Sequence, residues 1–448
     1  MDSPICDFVK KYCDSSPVRL HMPGHKGVGL DGLSYGRDIT EVDGADVLYG
    51  GNGIIKKSQD NASKIFGTKK TIYSAEGSSL SIRAMVYLVA LYAAKTGKRP
   101  LIVATRNAHK AFVNACAVLG VDVVWAYQKD GDILSNSFDN RLIEALLDQN
   151  RPVALYVTSP DYLGNLLSIS ALRDICDKYS TLLLVDNAHG AYLNFFKEDL
   201  HPIKKGAHIC CDSAHKTLPV LTGGGYLHFS VDAPDFLVNN GERAMGLFAS
   251  TSPSYLIMQS LDAFNKIACD GFKQKVKALA ERCAAFKDSL KSCGFITVGE
   301  EPLKITLAPK SYGYTGEAIK DYLLKNNIVC EFSDPDYVVM MVSPSIDLDK
   351  LDRLEGLLKA LPKLEPILST PPILPVAEVK IAPHKAILMP AGEVDVRLAK
   401  GRVLASPTVN CPPAVPILVC GEVVTNAHVD AFLYYGINTC FVVDEGKI

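Results

Sequence analysis

The sequence predicts an α/β protein in which a mainly parallel sheet is covered by helices, followed by smaller α+β C-terminal domains. Three observations carry this. From residue 81 to residue 185, short, continuously apolar runs alternate with segments of helical periodicity, the pattern of strands buried on both faces. The chain has 448 residues, too many for one compact core and suited to two or three domains. Hydrophobic residues make up 48% and charged residues 21%, the balance of an ordinary soluble globular protein.

Taken in order, residues 1–60 read as an N-terminal arm. Arg19 to Gly27, Gly29, Gly32, Gly36, Gly44 and Gly50-Gly51-Asn52-Gly53 supply many glycines and too few apolar pairs for a core of their own. His21 and His25 are four apart, but Pro23 and Gly24 between them argue against a helical metal pair. A large domain is expected over 61–260. Its helices are Ser81–Ala94, Lys110–Leu119, Asp139–Leu147 and Ile169–Lys178. Its strands are Pro100–Ala104, Val121–Ala126, Val153–Val157 and Thr181–Val185. One long helical region, Tyr255–Lys291, leads into a small α+β domain over 261–365 with a helix near Glu317–Lys325. The proline-rich stretch Leu361–Val376 predicts a semi-rigid connector to a C-terminal domain, 366–448.

Bulk charge narrows the partners. A formal net charge of -2 gives no electrostatic pull towards nucleic acid or an anionic membrane. The longest apolar run, Ala84–Ala94, is about half the roughly 20 residues of a membrane span. The opening residues, MDSPICDFVKKYCDSS, show no signal-peptide pattern. Thirteen cysteines without a CxxC pair read as reduced thiols. The expectation is a cytoplasmic protein with no membrane or nucleic-acid partner.

In parallel sheets, ligands gather beyond the carboxyl ends of the strands. The segments just there are Arg106-Asn107-Ala108-His109-Lys110, Thr158-Ser159-Pro160, Asp186-Asn187-Ala188-His189 and Ser213-Ala214-His215-Lys216. Each residue has a bland reading beside a chemical one. Gly77-Ser78-Ser79 before a helix can hold an anion or simply cap the helix, and no GxxxxGK[ST] nucleotide loop is present. Asp186, ending LLLVD, can hold a positive ring nitrogen or cap a loop. His109 can stack on a flat ring or serve only as a hydrogen-bonding group. Lys216, between a strand end and the turn Gly223-Gly224-Gly225, can form a Schiff base or be an exposed loop lysine. An anion cup, a ring-stacking His, an acid and a lysine in that chain order match the needs of pyridoxal phosphate.

The sequence also resembles the Orn/Lys/Arg decarboxylases of the aspartate aminotransferase-like superfamily, in the short bacterial form. The resemblance rests on RLHMPGHKG (Arg19–Gly27), DITEVDGAD (Asp38–Asp46), GIIKKSQ (Gly53–Gln59), EGSS (Glu76–Ser79) and RNAHK (Arg106–Lys110). It continues through TSPDYLG (Thr158–Gly164), VDNAHGAY (Val185–Tyr192), DSAHKTLP (Asp212–Pro219), STSPSYLIMQSLD (Ser250–Asp262) and AKGRVLASPTVNCPPAVPILVCGE (Ala399–Glu422).

That resemblance implies a pyridoxal-phosphate decarboxylase of lysine, arginine or ornithine, making a di- or polyamine. It implies that Lys216 carries the cofactor as a Schiff base, with Ser213 and His215 beside it and His189 nearby. Asp186 would keep the pyridine nitrogen protonated. Ala188 and His109 would pack on the two ring faces, and Gly77, Ser78 and Ser79 would cup the phosphate. Ser250 would reach the phosphate of a neighbouring subunit, making the enzyme a homodimer or larger. Glu422 would help to read the substrate's distal cation.

Departures from the family pattern fall where substrate choice is expected. They are Asn410-Cys411, Pro412-Pro413-Ala414-Val415-Pro416, Cys420-Gly421-Glu422, Asp161 and Leu163. They leave the choice among the three amino acids open. Two other functions stay in view: an aminotransferase or lyase of the same fold, and a non-enzymatic relative, which would be expected to lack Lys216 or Asp186.

Overall fold

The computed structural model of the chain describes residues 1–29, 33, 35–129, 132–407 and 413–444. Helices α1 (Pro4–Asp14) and α2 (Ile54–Phe66), strand β1 (Lys70–Ser74) and helix α3 (Gly77–Thr96) come first. Strict alternation follows through β2 (Leu101–Thr105), α4 (Lys110–Leu119), β3 (Asp122–Ala126), α5 (Asn140–Asn150), β4 (Ala154–Thr158), α6 (Ile169–Lys178) and β5 (Leu182–Asp186). Next are β6 (Ile209–Asp212), the one-turn α7 (Ala214–Thr217), β7 (Gly225–Phe229), α8 (Asp235–Phe248), α9 (Tyr255–Ala268) and α10 (Phe272–Ser292). Then come β8 (Ile296–Val298), β9 (Lys304–Ala308), α11 (Gly316–Lys325), β10 (Phe332–Ser333), β11 (Val338–Met341) and α12 (Leu348–Lys359). The last elements are α13 (Pro383–Ala386), β12 (Ala391–Asp395), α14 (Asn426–Tyr434) and β13 (Thr439–Val443).

Local chemistry sets these boundaries. The His109 ring accepts the Ala111 N–H at 3.1 Å to start α4, and Gly120, at φ +65°, stops it. The long helical region expected over Tyr255–Lys291 consists of two helices, α9 and α10, because Gly271 turns the chain at φ +71°. The glycine-rich N-terminal arm also carries helix. Pro4 opens α1, whose Ile5 and Val9 are fully buried, and α1 packs on α2 and α9. Residues 362–378 carry no helix or strand, as the proline-rich stretch predicts.

The chain divides into two compact units, each discontinuous in sequence, so the stretch 61–260 is shared between them. The first comprises 1–96 and 182–277. Its strands run in the order β1-β7-β6-β5, with β5 and β6 parallel and β7 antiparallel to both β6 and β1. Helix α3 lies over β1, β6 and β7 and packs on α8. Among the described residues it is the one helix long and apolar enough, at 20 residues, to cross a membrane, and 61% of its most apolar window is buried inside the protein.

The second unit comprises 97–181 and 278–448. Strands β4-β2-β3 are all parallel. A four-stranded antiparallel sheet, β10-β11-β9-β8, and the pair β12-β13 supply its α+β parts. The fold class expected from the sequence is the one the chain adopts.

The turn between β10 and β11 gives a testable pH effect. Asp334 is buried, and one of its oxygens accepts the N–H groups of Asp336 at 2.8 Å and Tyr337 at 2.6 Å. Burial pushes its carboxyl up to about 7, against the lowering effect of those two bonds. A carboxyl raised on folding stabilises most below its unfolded value, and that stability is lost as pH rises through the folded value. Asp334→Asn keeps a carbonyl oxygen for both N–H groups and removes the titration. Melting curves from pH 4 to 9 should show the variant gaining on the wild type as pH rises, with most of the gain made by pH 7. Parallel curves would contradict this.

Candidate active site

Strand β6 ends at Asp212, and the chain turns at once through Ser213 into α7. That turn is fixed from both sides. The His215 N–H donates to the Gly224 carbonyl at 3.1 Å, the Lys216 N–H to Ser213 at 3.0 Å, and the Leu218 N–H to Ala214 at 2.8 Å. Lys216 is half-buried, and its Nζ lies 2.8 Å from Nε2 of the buried His189. His189 follows the end of β5, so two neighbouring strand ends meet at the lysine.

The start of α3 forms the next wall. The Gly77 N–H donates to Gly223 at 2.6 Å, which joins this helix to the turn after α7. The Ser213 hydroxyl donates to the Ser78 hydroxyl at 2.8 Å. The first N–H groups of this 20-residue helix have no intrahelical acceptor, and its dipole favours an anion there. Ser79 is half-buried in the same turn. Gly225 keeps the wall close: a Cβ built on it would lie 2.9 Å from the Asp212 carbonyl oxygen, 3.0 Å from the Gly77 carbonyl carbon and 3.3 Å from the Ser78 nitrogen. Gly225→Ala therefore forces the α3 start away from β6. Its expected signature is weaker binding of a phosphorylated cofactor, measured by equilibrium dialysis; unchanged affinity in a folded variant would refute the close-approach argument.

Asp186 ends β5 and is buried. One of its oxygens accepts the Ala188 N–H at 3.1 Å and faces the Cys211 thiol at 3.5 Å. Within this first unit the sequence-derived residues Ser78, Ser213, Lys216 and His189 thus meet directly or through one another, and His215 borders Gly77, whose built Cβ would lie 3.6 Å from the ring. Ser250 is exposed. Its N–H donates to Glu76 at 2.7 Å, and its hydroxyl accepts the Ser252 N–H at 3.1 Å.

His109 and Glu422 belong to the second unit. His109 caps α4, as described. Glu422 is fully buried, and its Oε2 accepts from Arg106 at 3.0 Å and from the Val419 N–H at 2.8 Å. Of the departures noted in the sequence, Asn410, Cys411 and Pro412 lie outside the described residues. Asp161 is buried, with its carboxylate accepting the Asn136, Gly164 and Asn165 N–H groups at 2.8 Å each. Burial pushes its carboxyl up to about 6.

These residues fit pyridoxal phosphate. A helix start with two hydroxyls, closed by a glycine that leaves no room for a side chain, suits the phosphate. A buried carboxylate suits a ring nitrogen that must stay protonated, and a lysine at a strand end suits the aldehyde. Sequence reasoning missed Gly225 as the close-approach glycine. It also missed Asn187, His201, Asp212 and His228, which form a network under the lysine. The alternation in Tyr226-Leu227-His228 was the available signal, since it puts His228 on the face opposite Leu227.

Known proteins resemble this chain over most of its length. Residues 3–307 match the family described as Orn/Lys/Arg decarboxylase, major domain. An arginine decarboxylase of Bacillus subtilis (strain 168) is 27% identical over 467 aligned residues, covering 96% of this chain and 92% of its own length. Another, from Halalkalibacterium halodurans, is 25% identical over 95% of this chain and 92% of its own. Among solved structures, lysine decarboxylase A from Pseudomonas aeruginosa aligns with a TM-score of 0.77 at 17% identity, over 98% of this chain and 80% of its own, a likeness of fold.

Proposed function

The chain belongs to the Orn/Lys/Arg decarboxylase family and is a decarboxylase, and from that premise we propose that it removes CO₂ from a basic amino acid, arginine first, using pyridoxal phosphate held on Lys216. The observation that carries this reading is the Lys216 Nζ at 2.8 Å from His189 Nε2, at the strand ends beside the Ser78–Ser213 pair. Likeness along nearly the whole chain to arginine decarboxylases puts arginine ahead of lysine and ornithine.

Bound there, pyridoxal phosphate supplies the electron sink that decarboxylation of an α-amino acid needs. The protein's part is positional and electrostatic. Ser78, Ser79, Ser213 and the first N–H groups of α3 would hold the phosphate. The Asp186 carboxylate would hold a proton on the ring nitrogen, and Ala188 would pack on the ring. His189 and His215 would orient the Lys216 Nζ, and His189 would accept its proton in the neutral state. In this reading residues 61–260 bind the cofactor, with 1–60 as the arm and 261–365 and 366–448 as the smaller domains.

Two further points belong to the same proposal. The exposed Ser250 and the exposed apolar side chains Val18, Leu20, Met22 and Val28 fit a homodimer whose sites are completed across the interface. The described cysteines are all unpaired thiols, which fits a reducing cytoplasm.

The test uses the purified protein loaded with pyridoxal phosphate. It should be yellow, and borohydride should bleach the band and fix the cofactor to the peptide bearing Lys216. Supplied with arginine, lysine or ornithine, it should release CO₂ and the matching amine, fastest with arginine. A protein that binds no pyridoxal phosphate, or releases CO₂ from none of the three, sinks the proposal. Faster release from lysine or ornithine corrects the substrate alone.

A further inference from the structure

Beneath the Lys216 turn lies a closed polar cluster that none of the roles above uses. Asp212, His201, His228 and Asn187 are all fully buried. Asp212 Oδ2 accepts from His201 Nε2 at 3.0 Å and from His228 Nε2 at 3.2 Å. Its Oδ1 accepts from the Asn187 amide at 2.7 Å and faces the Cys210 thiol at 3.7 Å.

The donors can be assigned. His201 Nδ1 accepts the Ile203 N–H at 3.3 Å, so its proton is on Nε2, pointing at Asp212. The Asp212 carboxylate oxygen facing His228 Nε2 can only accept, so the proton of the neutral His228 ring is on Nε2, and the Thr71 hydroxyl, 2.9 Å from Nδ1, donates to that nitrogen. Burial alone pushes the Asp212 carboxyl up, but the two histidines more than offset this and hold it well below the usual carboxylate range. Burial pushes His228 down, towards the neutral form. Cys210, also raised by burial, keeps its proton and can donate.

His201, Cys210 and Asp212 bring their possible ligand atoms within 4.8 Å of one another, which is metal-like spacing. With His201 Nε2 protonated, however, that lone pair is absent, and the Asp212 carboxylate is held as an anion by hydrogen bonds from His201, His228 and Asn187.

The placement of this anion matters more than its burial. Asp212 directly precedes Ser213, the first residue of the lysine turn. Asn187 directly follows Asp186. The Asn187–Asp212 bond, together with the Asn187 N–H donating to Cys211 at 3.0 Å, therefore ties the strand end carrying the acid to the strand end carrying the lysine. The geometry points to Asp212 as a positioning residue: a buried carboxylate, clamped by His201 and His228, that through Asn187 sets the Asp186 strand end against the Lys216 turn. This inference rests on the cofactor site proposed above. A misplacement of about 1 Å at reacting groups costs on the order of 10²-fold in rate, so the clamp acts on turnover more than on substrate affinity.

Three variants test it in the pyridoxal-phosphate-loaded protein. Asp212→Asn must set an amide N–H₂ against either the histidine donors or the Asn187 amide. It should lower kcat roughly 10- to 100-fold with KM little changed, and shift the pH titration of the visible cofactor band. The double variant Asn187→Asp with Asp212→Asn reverses donor and acceptor in that one bond and keeps the histidines an acceptor, so it should recover much of the kcat and the band. Asn187→Ala leaves Asp212 with both histidines and should show the kcat loss with a near-normal melting temperature.

If Asp212→Asn does not fold, the other two variants decide. A folded double variant no better than Asn187→Ala, or a folded Asn187→Ala with wild-type kcat and band, overturns the inference. Failure of all three to fold also overturns it, since the cluster would then be core and nothing more. If wild-type protein lacks a Lys216-dependent band, the cofactor reading has failed first; a band that is present but unmoved in the variants sinks only the clamp.

Discussion

Lys216→Ala should leave a folded protein that has lost the visible cofactor band and releases CO₂ from arginine at least about 10⁴-fold more slowly than the wild type, the scale of losing a covalent catalytic group. Folding should survive because the turn does not depend on the lysine side chain. Backbone bonds from Lys216 to Ser213 and from Leu218 to Ala214 stay, as does the Ser213–Ser78 hydroxyl contact. The substitution removes the contact of Nζ to His189, at 2.8 Å. Phosphate binding should weaken less than catalysis, because Ser78, Ser213 and the α3 start remain. A Lys216→Ala protein that binds pyridoxal phosphate in solution but cannot be fixed to it by borohydride is the expected combination. CO₂ release at the wild-type rate would remove Lys216 from the chemistry altogether.

This site shows which features a sequence exposes and which it hides. Helices α4 and α6 were read to the residue because their periodic stretches are closed by local signals, such as Gly120 after α4. The start of α3 was read four residues late, since Gly77, Ser78 and Ser79 are weak helix formers, and those are the residues that make the anion cup. Helix α1 was missed because two buried positions, Ile5 and Val9, are too few to stand out from a glycine-rich neighbourhood. The residues Asp186, Ser213, His215 and Lys216 could be named because each lies at the end of a strand or just after it. The clamp could not, because its residues sit in separate segments: pairing of β6 and β7 puts Cys210 opposite His228, and His201 caps the turn Pro202–Lys205 that precedes β6. Local pattern carries no information on such a meeting.

Glu422 poses the opposite problem, a residue named for function that the fold places in a structural bond. Arg106 and Glu422 are 6% and 0% exposed. Arg106 also donates to the Pro416 and Ile417 carbonyls at 3.3 and 3.1 Å, and its guanidinium lies 5.0 Å from the Trp125 ring centre. Breaking a buried pair from one side costs about 3–5 kcal/mol, because the surviving charge is left without its partner, whereas replacing both partners by apolar groups is often close to neutral. Arg106→Met should therefore lower the melting temperature by roughly 10 °C. Arg106→Met with Glu422→Met should regain most of that loss, short of the part owed to the two carbonyls. The double variant then separates two roles for Glu422. If the carboxylate only balances Arg106, the stabilised double variant keeps the wild-type KM for arginine. If it also reads the substrate's distal cation, KM rises while the melting temperature stays recovered. A single Arg106→Met variant as stable as the wild type would show that the pair holds nothing, and would return Glu422 to the list of groups free to meet the substrate.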